Sequence, residues 1–304
     1  MSITDRLLSV YDQIVIYGAK GWIGQSAVSV LLNQNPNLSK NQILLIGSKS
    51  EQFSNSSKVL DIYSATDSTK FISSNCLFLN AAYLRREKMK TMNRDEYIQK
   101  NYEISDFGRK LLKENNIKTF INLSSGVASE KLYEIVNRTD DLYAKSKIAD
   151  EMMFQSTCDS VSAFFINCRI YSISGKYINE FQNLALSLFI QQAFQKPRVI
   201  SVRSPETLRT YVNAVDLVKV LFELALNKKN YMIDSGGYLI QLGQLADKIA
   251  SITQSATVEK STSINRSADY YGDFKMFNEL AKQCGIGLLD IENQITDTMI
   301  AFNK

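Results

Sequence analysis

The sequence predicts an α/β fold, with a doubly wound parallel sheet in its N-terminal half and a smaller lobe built from its C-terminal third. Short apolar runs, each long enough for one buried strand, alternate along the first half with segments long enough for helices. Several of these runs end at a glycine or at small polar residues. Strands and helices that alternate in this rhythm form parallel sheets covered by helices on both faces.

The first predicted strand is Ile14–Tyr17, which ends at Gly18 and is followed by a helix over Gln25–Asn33. The later strands of the sheet are predicted at Gln42–Ile46, Val59–Ile62, Cys76–Ala82, Lys118–Leu123 and Val161–Ile170. Two longer helices are predicted at Asp95–Glu114 and Leu142–Phe154. Each of them precedes one of the last two strands, as crossover helices of a parallel sheet do.

Beyond Tyr171 the alternation becomes less regular. The elements predicted there are an amphipathic stretch at Glu180–Gln195, a strand at Val199–Val202, and helices at Asp216–Leu226 and Phe274–Cys284. We expect residues 1–172 to bind a dinucleotide, with 211–236 packing back onto that domain. Residues 173–304 are expected to form a substrate-binding lobe over the carboxyl edge of the sheet, where open α/β sheets bind ligands.

Composition excludes several classes of function. The 304 residues carry a net charge of +4 with scattered basic residues, so nucleic acid is not a predicted partner. The longest apolar runs are far below the roughly 18 residues of a membrane span, and the charged N-terminal segment is unlike a signal peptide. We therefore expect a cytoplasmic protein with no membrane contact, and the four cysteines, which lack CxxC spacing, are expected to be free thiols.

The chain contains no histidine. This excludes a Ser-His-Asp triad, a histidine general base and a histidine-containing zinc site, and no metal site is predicted. Acid–base chemistry must come from Tyr, Lys, Asp, Glu or Cys.

A glycine-rich loop of the form G-x-x-G-x-x-G follows the first predicted strand. Glycines at this spacing permit a tight turn and bring backbone N–H groups against a pyrophosphate at the N-terminus of the next helix. The alternative, a flexible turn without a ligand, is disfavoured by the position directly after the first strand. The residues assigned to cofactor binding here are Gly18, Lys20, Gly21, Trp22, Ile23 and Gly24.

The end of the second predicted strand bears on the choice of cofactor. NAD enzymes place an acid there to hold the ribose 2′-hydroxyl, whereas this chain has Ser48 and Lys49 after Gly47. A serine can donate a hydrogen bond and a lysine can attract a 2′-phosphate. The sequence therefore favours NADP(H) over NAD(H), with a solvated loop lysine as the alternative interpretation of Lys49.

The acid–base candidates are Tyr143 and Lys147, which a spacing of four places on one face of a helix. An ammonium beside a tyrosine lowers its pKa from about 10 and so favours the phenolate. A second pair with this spacing, Tyr271 and Lys275, lies far from the nucleotide-binding half. Position therefore favours Tyr143, which follows a predicted strand and begins a helix.

Two serines, Ser124 and Ser125, end the strand that precedes Tyr143. A hydroxyl there can hold a substrate oxygen beside the tyrosine for hydride transfer. The alternative is a serine-rich strand end that caps a turn. The glycine loop upstream and the Tyr143 and Lys147 pair downstream favour the substrate-binding interpretation.

These elements in this order resemble the extended short-chain dehydrogenases/reductases, more narrowly the nucleotide-sugar epimerase/dehydratase/reductase family. The resemblance implies a Rossmann-type fold and covers most of the chain. It implies that Asp61-Ile62 contacts adenine and that Asn80-Ala81-Ala82 lies beside the cofactor. Asn101 resembles the active-site asparagine of the family, and Ser125 matches its catalytic Ser/Thr.

Two further segments are similar to motifs that contact the nucleotide sugar in this family. Arg169–Gly175 resembles "RxxNxxG", with Ser172 in place of the asparagine, which puts the usual contact there in doubt. Arg209–Asp216 resembles "RDxVHVxD", whose arginine holds the nucleotide phosphates. The resemblance implies substrate binding by Ser124, Tyr171, Ser172, Arg209 and Arg266, the last with a surface salt bridge as the alternative.

The departures from the family pattern narrow the chemistry. No Thr/Ser-Asp-Glu triplet follows Ser125, so sugar dehydration is disfavoured. We expect a 4-keto-sugar reductase of deoxysugar or surface-polysaccharide biosynthesis that uses NADPH. An NAD-dependent nucleotide-sugar epimerase is the first alternative. A non-catalytic NAD(P)-binding sensor and a reductase of non-sugar carbonyls are further alternatives, and family habit implies a homodimer.

Overall fold

The computed structural model describes residues 1–39, 41–55, 58–73, 75–114, 117–129, 141–179, 184–254, 256–261 and 267–303. The chain divides into two compact units. The first unit contains Met1–Arg169 and Val218–Ile233, and the second contains Ile170–Leu217 and Asp234–Lys304. Of the segment 211–236, which is predicted to pack back onto the dinucleotide domain, residues 211–217 and 234–236 belong to the second unit.

The strands of the described residues are numbered in chain order. They are β1 Gln13–Tyr17, β2 Ile43–Gly47, β3 Glu51–Asn55, β4 Lys58–Ser64, β5 Cys76–Asn80, β6 Ile117–Ser125, β7 Phe164–Ile170, β8 Ser172–Ser174, β9 Val199–Val202, β10 Leu208–Asn213, β11 Tyr231–Asp234, β12 Tyr238–Gln241 and β13 Thr257–Lys260.

The α-helices are numbered in the same way. They are α1 Ile3–Val10, α2 Trp22–Gln34, α3 Ala65–Ser68, α4 Arg94–Glu114, α5 Leu142–Val161, α6 Ala185–Phe194, α7 Ala214–Leu226, α8 Leu242–Thr253, α9 Phe274–Gln283 and α10 Ile291–Met299. In the described part of the chain, no helix is both long and apolar enough to cross a lipid bilayer.

The main sheet has eight strands within the described residues, in the order β11-β7-β6-β5-β1-β2-β4-β3. β1 runs parallel to β2 and β5, β2 runs parallel to β4, and β5 runs parallel to β6. The sheet is mostly parallel and is flanked by helices, which confirms the predicted Rossmann-type α/β fold.

One edge of the sheet differs from the predicted pattern. β3 pairs antiparallel with β4, so Glu51–Asn55 and Lys58–Ser64 form a hairpin where a single strand is predicted. The register places Glu51 opposite Ile62. The hairpin was missed because its first strand, Glu-Gln-Phe-Ser-Asn, is too polar to resemble a buried strand.

Aromatic residues form the core on the face of the sheet that α4 and α5 cover. Phe78 of β5 and Phe120 of β6 stack with ring centroids 5.1 Å apart. Phe154 of α5 packs against Phe120 at 4.7 Å, and Phe165 of β7 continues the row. All four side chains are buried, and each contributes about 1.5–3 kcal/mol of hydrophobic stabilisation.

An unpredicted helix precedes β1. α1 begins with a capping box between Ser2 and Asp5, which satisfies backbone N–H groups at its N-terminus. Thr4 Oγ1 donates a hydrogen bond to Leu31 O of α2 at 3.2 Å, and Arg6 forms an ion pair with Glu223 of α7. These contacts hold the N-terminal segment against the first unit.

The second unit has its own core beneath two small sheets. Its sheets have the strand orders β12-β10-β8 and β13-β9. Apolar residues of α6, α8 and α10, such as Ile190, Leu245 and Ile295, are fully buried between these elements. The predicted amphipathic stretch Glu180–Gln195 contains α6, which begins at Ala185, and residues 180–183 lie outside the described ranges.

Candidate active site

The glycine loop between β1 and α2 requires glycine at two positions. Gly18 has φ +86°, and an added Cβ there would lie 2.7 Å from the Ala81 carbonyl. A Cβ on Gly24 would lie 2.2 Å from Gly18 O. α2 begins after Gly21, which offers no side chain to cap the helix, so its first-turn N–H groups suit an anionic ligand.

Buried polar atoms at the same edge of the sheet lack a hydrogen-bond partner among the described residues. Among them are Nε1 of Trp22, Oδ1 of Asn80, the hydroxyl of Tyr83 and Oγ of Ser124. A buried polar group without a partner costs about 1–3 kcal/mol, so such atoms point to a polar ligand or to ordered water. Together with the glycine loop, they fit a dinucleotide bound across this edge.

The predicted pair Ser48 and Lys49 lies in an exposed turn directly after β2. Glu51 lies beside this turn, although no acid is predicted there from the sequence. Its carboxylate lies 3.0 Å from Nζ of Lys20 in the glycine loop and 3.9 Å from Nζ of Lys49. The side chain of Glu51 is only 24% exposed, compared with 73% for Lys49. The glycine loop therefore has an acidic side chain next to it.

The sequence contains a weak indication of the hairpin that positions Glu51. Two short runs, Glu51–Asn55 and Lys58–Ser64, are separated by serines, a pattern that fits a hairpin. Because β3 runs antiparallel to β4, and β4 runs parallel to β2, β3 begins at the carboxyl edge where β2 ends. Glu51 is its first residue.

The structure does not bring Asp61 to that edge. Asp61 lies in the middle of β4, three residues before its end at Ser64, and lines a small cavity with Leu38 and Lys58. The side chain of Ile62, the next residue, packs beneath Gly47. A Cβ added to Gly47 would lie 2.8 Å from Cγ2 of Ile62. Ser64 is the β4 residue that pairs with Gly47 at the carboxyl end of β2.

The end of β5 and the segment after it, where Asn80, Ala81 and Ala82 are predicted to contact the cofactor, lie beside the glycine loop. Ala81 N donates to Tyr17 O at 2.8 Å, and the Ala81 carbonyl lies against Gly18. Nδ2 of Asn80 donates to Oδ1 of Asn122 at 3.1 Å. This amide contact joins the ends of β5 and β6 and leaves Oδ1 of Asn80 directed away from it.

Asn101 is buried in α4 and binds the backbone of Leu84. Its Oδ1 accepts from Leu84 N at 2.8 Å, and its Nδ2 donates to Leu84 O at 3.3 Å. The hydroxyl of Tyr97 donates to the same carbonyl at 2.7 Å. Asn101, predicted as an active-site residue, therefore holds the chain segment that follows Ala82.

Tyr143 lies at the first turn of α5, next to Ser125 at the end of β6. The helix is capped by Asp141, whose carboxylate accepts from Tyr143 N at 3.1 Å and from Ala144 N at 3.2 Å. Arg86 forms an ion pair with Asp141, and its Cζ lies 5.4 Å from the Tyr143 ring centroid. Burial raises the pKa of Tyr143, while the Ser125 hydrogen bond and the charge of Arg86 act to lower it.

Lys147 lies one turn further along the same helix. Its side chain is 5% exposed, and its Nζ donates to Leu123 O at 3.2 Å. Burial lowers the pKa of Lys147 to about 8, opposed by the charges of Asp150 and Glu151. Burial also raises the pKa of Asp150 to about 6.

The structure thus brings Ser125, Tyr143 and Lys147 together at the carboxyl edge of the sheet. The other pair of this spacing, Tyr271 and Lys275, belongs to the second unit, where Tyr271 is 40% exposed. A buried tyrosine with a hydroxyl neighbour and a nearby lysine can exchange a proton with a substrate hydroxyl.

The residues predicted to bind the substrate phosphates and sugar belong mainly to the second unit. Nη1 of Arg209 donates to Ala268 O at 2.7 Å, and its Cζ lies 5.6 Å from the Tyr270 ring centroid. The rings of Tyr171 and Tyr270 are 4.8 Å apart. Ser172 is buried in β8, where it pairs with Tyr211. Arg266 lies outside the described residues.

Solved structures of nucleotide-sugar enzymes share this fold. A UDP-N-acetylglucosamine 4-epimerase from Methanobrevibacter ruminantium M1, in complex with UDP-N-acetylmuramic acid, is 16% identical over 96% of this chain and 98% of that chain, with a TM-score of 0.72. A UDP-glucuronic acid 4-epimerase from Bacillus cereus, in complex with UDP-glucuronic acid and NAD, is 13% identical over 96% and 99%, with a TM-score of 0.67.

A third similar structure is TunA, an NAD-dependent NDP-hexosamine 5,6-dehydratase of tunicamycin biosynthesis, which is 16% identical over 96% of this chain and 98% of that chain, with a TM-score of 0.69. No curated protein sequence matches the chain significantly. The family described as the NAD dependent epimerase/dehydratase family matches residues 14–234, which is well over half of the sequence. The chain belongs to the NAD dependent epimerase/dehydratase family.

Proposed function

We propose that the chain is a nucleotide-sugar epimerase that uses NAD(H). The observation that carries the proposal is the cluster of Ser125, Tyr143 and Lys147 at the sheet edge that also holds the glycine loop. Family membership supports NAD-dependent chemistry. Similar structures that bind UDP-sugars support a nucleotide sugar as the substrate class.

Each residue of the cluster has a part in this chemistry. A bound nicotinamide dinucleotide would accept a hydride from the sugar and return it. Tyr143 would remove the proton from the reacting hydroxyl and later give it back. The positive charge of Lys147 would stabilise the phenolate, and Ser125 would hold the substrate oxygen in place.

The placement of Glu51 favours NAD(H) as the cofactor. Ser48 and Lys49 are the basis for predicting NADP(H), but Lys49 lies 3.9 Å from the Glu51 carboxylate, which offsets part of its charge. A carboxylate accepts hydrogen bonds from ribose hydroxyls and repels a 2′-phosphate. Glu51 is the better anchored group because it also pairs with Lys20.

A 4-keto-sugar reductase is the second candidate function. The exposed Lys49 and the hydroxyl of Ser48 support it, because both suit the 2′-phosphate of NADPH, a cofactor that is released after each turnover. The same cluster of Ser125, Tyr143 and Lys147 would then protonate the reduced oxygen once.

For substrate binding, we propose that Arg209 holds a phosphate of the nucleotide and that Tyr171 contributes to the same site. Backbone carbonyls and the Tyr270 ring hold the Arg209 guanidinium in place. Its side chain would therefore lose little conformational entropy when a phosphate binds. A planar guanidinium suits a diphosphate because it can bind two oxygens at once. The role of Arg266 stays a prediction.

The test is to incubate the purified protein with UDP-, dTDP-, GDP- and CDP-sugars and to analyse the sugars by NMR. An epimerase converts one sugar into its epimer with no net change in cofactor, whereas a reductase consumes one NADPH for each product. We expect epimer formation by the wild type and a fall of about 100-fold or more in Tyr143→Phe. Conversion at an equal rate by Tyr143→Phe would exclude this active site.

A further inference from the structure

Tyr83 lies beside both residues of the acid–base pair. It follows Ala82 in the segment after β5, and the centroid of its ring is 3.4 Å from Nζ of Lys147. The rings of Tyr83 and Tyr143 meet edge to face, with centroids 5.8 Å apart and an interplanar angle of 71°. An ammonium held over an aromatic face is attracted by the ring's electron density. Tyr83 therefore contacts both Tyr143 and Lys147.

The backbone next to Tyr83 is fixed by α4. Leu84, the following residue, has its N–H bound by Asn101 and its carbonyl bound by both Asn101 and Tyr97. Three hydrogen bonds from one helix leave this part of the chain little freedom. The Tyr83 ring consequently has a defined place over Lys147.

Lys147 needs such a neighbour because its amine is buried. A buried charge is costly unless other groups stabilise it. The groups that face its charge are the carboxylates of Asp150 and Glu151 on its own helix, the carbonyl of Leu123 and the ring of Tyr83. Glu151 also forms an ion pair with Arg169 at 2.8 Å, and this pair offsets part of the negative charge of Glu151.

We propose that Tyr83 is a positioning residue, whose ring face holds the protonated amine of Lys147 in place for its action on Tyr143. The inference rests on the proposed function, in which the charge of Lys147 stabilises the Tyr143 phenolate. Without the ring, the amine loses a stabilising contact and its long, flexible side chain loses a restraint. The neutral form of Lys147 then becomes more populated.

The experiment follows the ionisation of Lys147 directly, in the full chain labelled with ¹³C and ¹⁵N in lysine. The Lys147 signal is identified by its loss in Lys147→Arg and is titrated by NMR in the wild type, Tyr83→Phe and Tyr83→Leu. The wild-type midpoint is expected near 8. We expect Tyr83→Phe, which keeps the ring, to retain this midpoint and Tyr83→Leu to lower it by about one pH unit.

A second readout is the pH dependence of turnover. Lys147 is mainly charged below its pKa and mainly neutral above it. As the pH is raised, Tyr83→Leu should therefore lose turnover at a lower pH than Tyr83→Phe. Tyr83→Met, which fills similar volume without a ring, replaces Tyr83→Leu if that variant does not fold, with the same expected shift.

An unchanged Lys147 midpoint in the variants that lack the ring would overturn the proposal, as would an equal shift in Tyr83→Phe. The titration needs no substrate, so its outcome is separate from that of the epimerisation test. A shifted midpoint in a protein without epimerase activity would leave the positioning role intact and remove only the proposed reaction.

Discussion

At the scale of single residues, Glu51 and Lys49 favour different cofactors: Glu51 favours NAD(H), whereas Lys49 favours NADP(H). Glu51 is held by Lys20 at 3.0 Å, whereas Lys49 is largely exposed and more distant. A carboxylate in this position should bind the ribose of NAD(H) and disfavour a 2′-phosphate. The contributions of Glu51 and Lys49 can be separated by substituting one residue at a time.

We predict that Glu51→Gln lowers the preference for NAD⁺ over NADP⁺ by about tenfold or more, since it removes a charged acceptor and a repulsive charge together. The measurement is the Kd of each dinucleotide by calorimetry. Lys49→Ala is the matched control and should leave the Kd of NAD⁺ unchanged. A selective loss of NADP⁺ affinity in Lys49→Ala, with no effect of Glu51→Gln, would instead support the NADP(H) interpretation of Ser48 and Lys49.

At the scale of structural elements, the turn between β1 and α2 has no room for side chains. Gly24 lies on the first turn of α2, where its Cα faces the Gly18 carbonyl and the Ala19 backbone. This close approach brings the helix N-terminus near the strand end. The geometry therefore joins a packing requirement to the proposed binding of a pyrophosphate.

We predict that Gly24→Ala lowers the free energy of unfolding by about 1–3 kcal/mol, because the added methyl group overpacks the turn. Urea denaturation followed by circular dichroism provides the measurement. Gly287→Ala is the control, since a Cβ there would meet no described atom within 4 Å. Equal stability of the two variants would show that α2 can shift without cost.

A second feature at this scale is a row of amides across three strands. Asn80 donates to Asn122 at 3.1 Å, and Asn122 donates to Asn167 at 2.7 Å. The row continues the stacked phenylalanines of β5, β6 and β7 toward the carboxyl edge, two residues further along each strand. Each buried amide thus finds a partner in the neighbouring strand, as polar groups in a core must.

At the scale of the whole molecule, α4 and α5 present large apolar side chains on the surface of the first unit. Tyr102 of α4 is 60% exposed and Met152 of α5 is 64% exposed. The two helices also pack against each other. We propose that this surface pairs with the same surface of a second copy, since a two-fold dimer uses one patch twice.

We predict that Tyr102→Glu combined with Met152→Glu converts a dimer into a monomer, because carboxylates would be buried at the interface without partners. Light scattering after size exclusion gives the mass. Met276→Glu is the control, as Met276 is 45% exposed on α9 in the second unit. A wild type that is already monomeric would contradict the proposed dimer.

Local spacing in the sequence was enough to predict the parallel sheet and to name the main residues of the candidate site. Gly18, Gly21 and Gly24 follow a buried strand, and Tyr143 and Lys147 are one helical turn apart. Both patterns depend on neighbours in the chain, because turns and helix faces repeat over a few residues. The same holds for the choice of Tyr143 over Tyr271, which rested on order along the chain.

Only the tertiary structure decided which groups meet these residues. Glu51 lies near Lys20 because β3 runs antiparallel to its neighbour and so begins at the carboxyl edge, and Asp61 stays in mid-strand because β4 extends to Ser64. Tyr83 covers Lys147 because α4 holds the segment after β5. Register, strand length and helix docking are contacts between distant parts of the chain, so no pattern of neighbouring residues contains them.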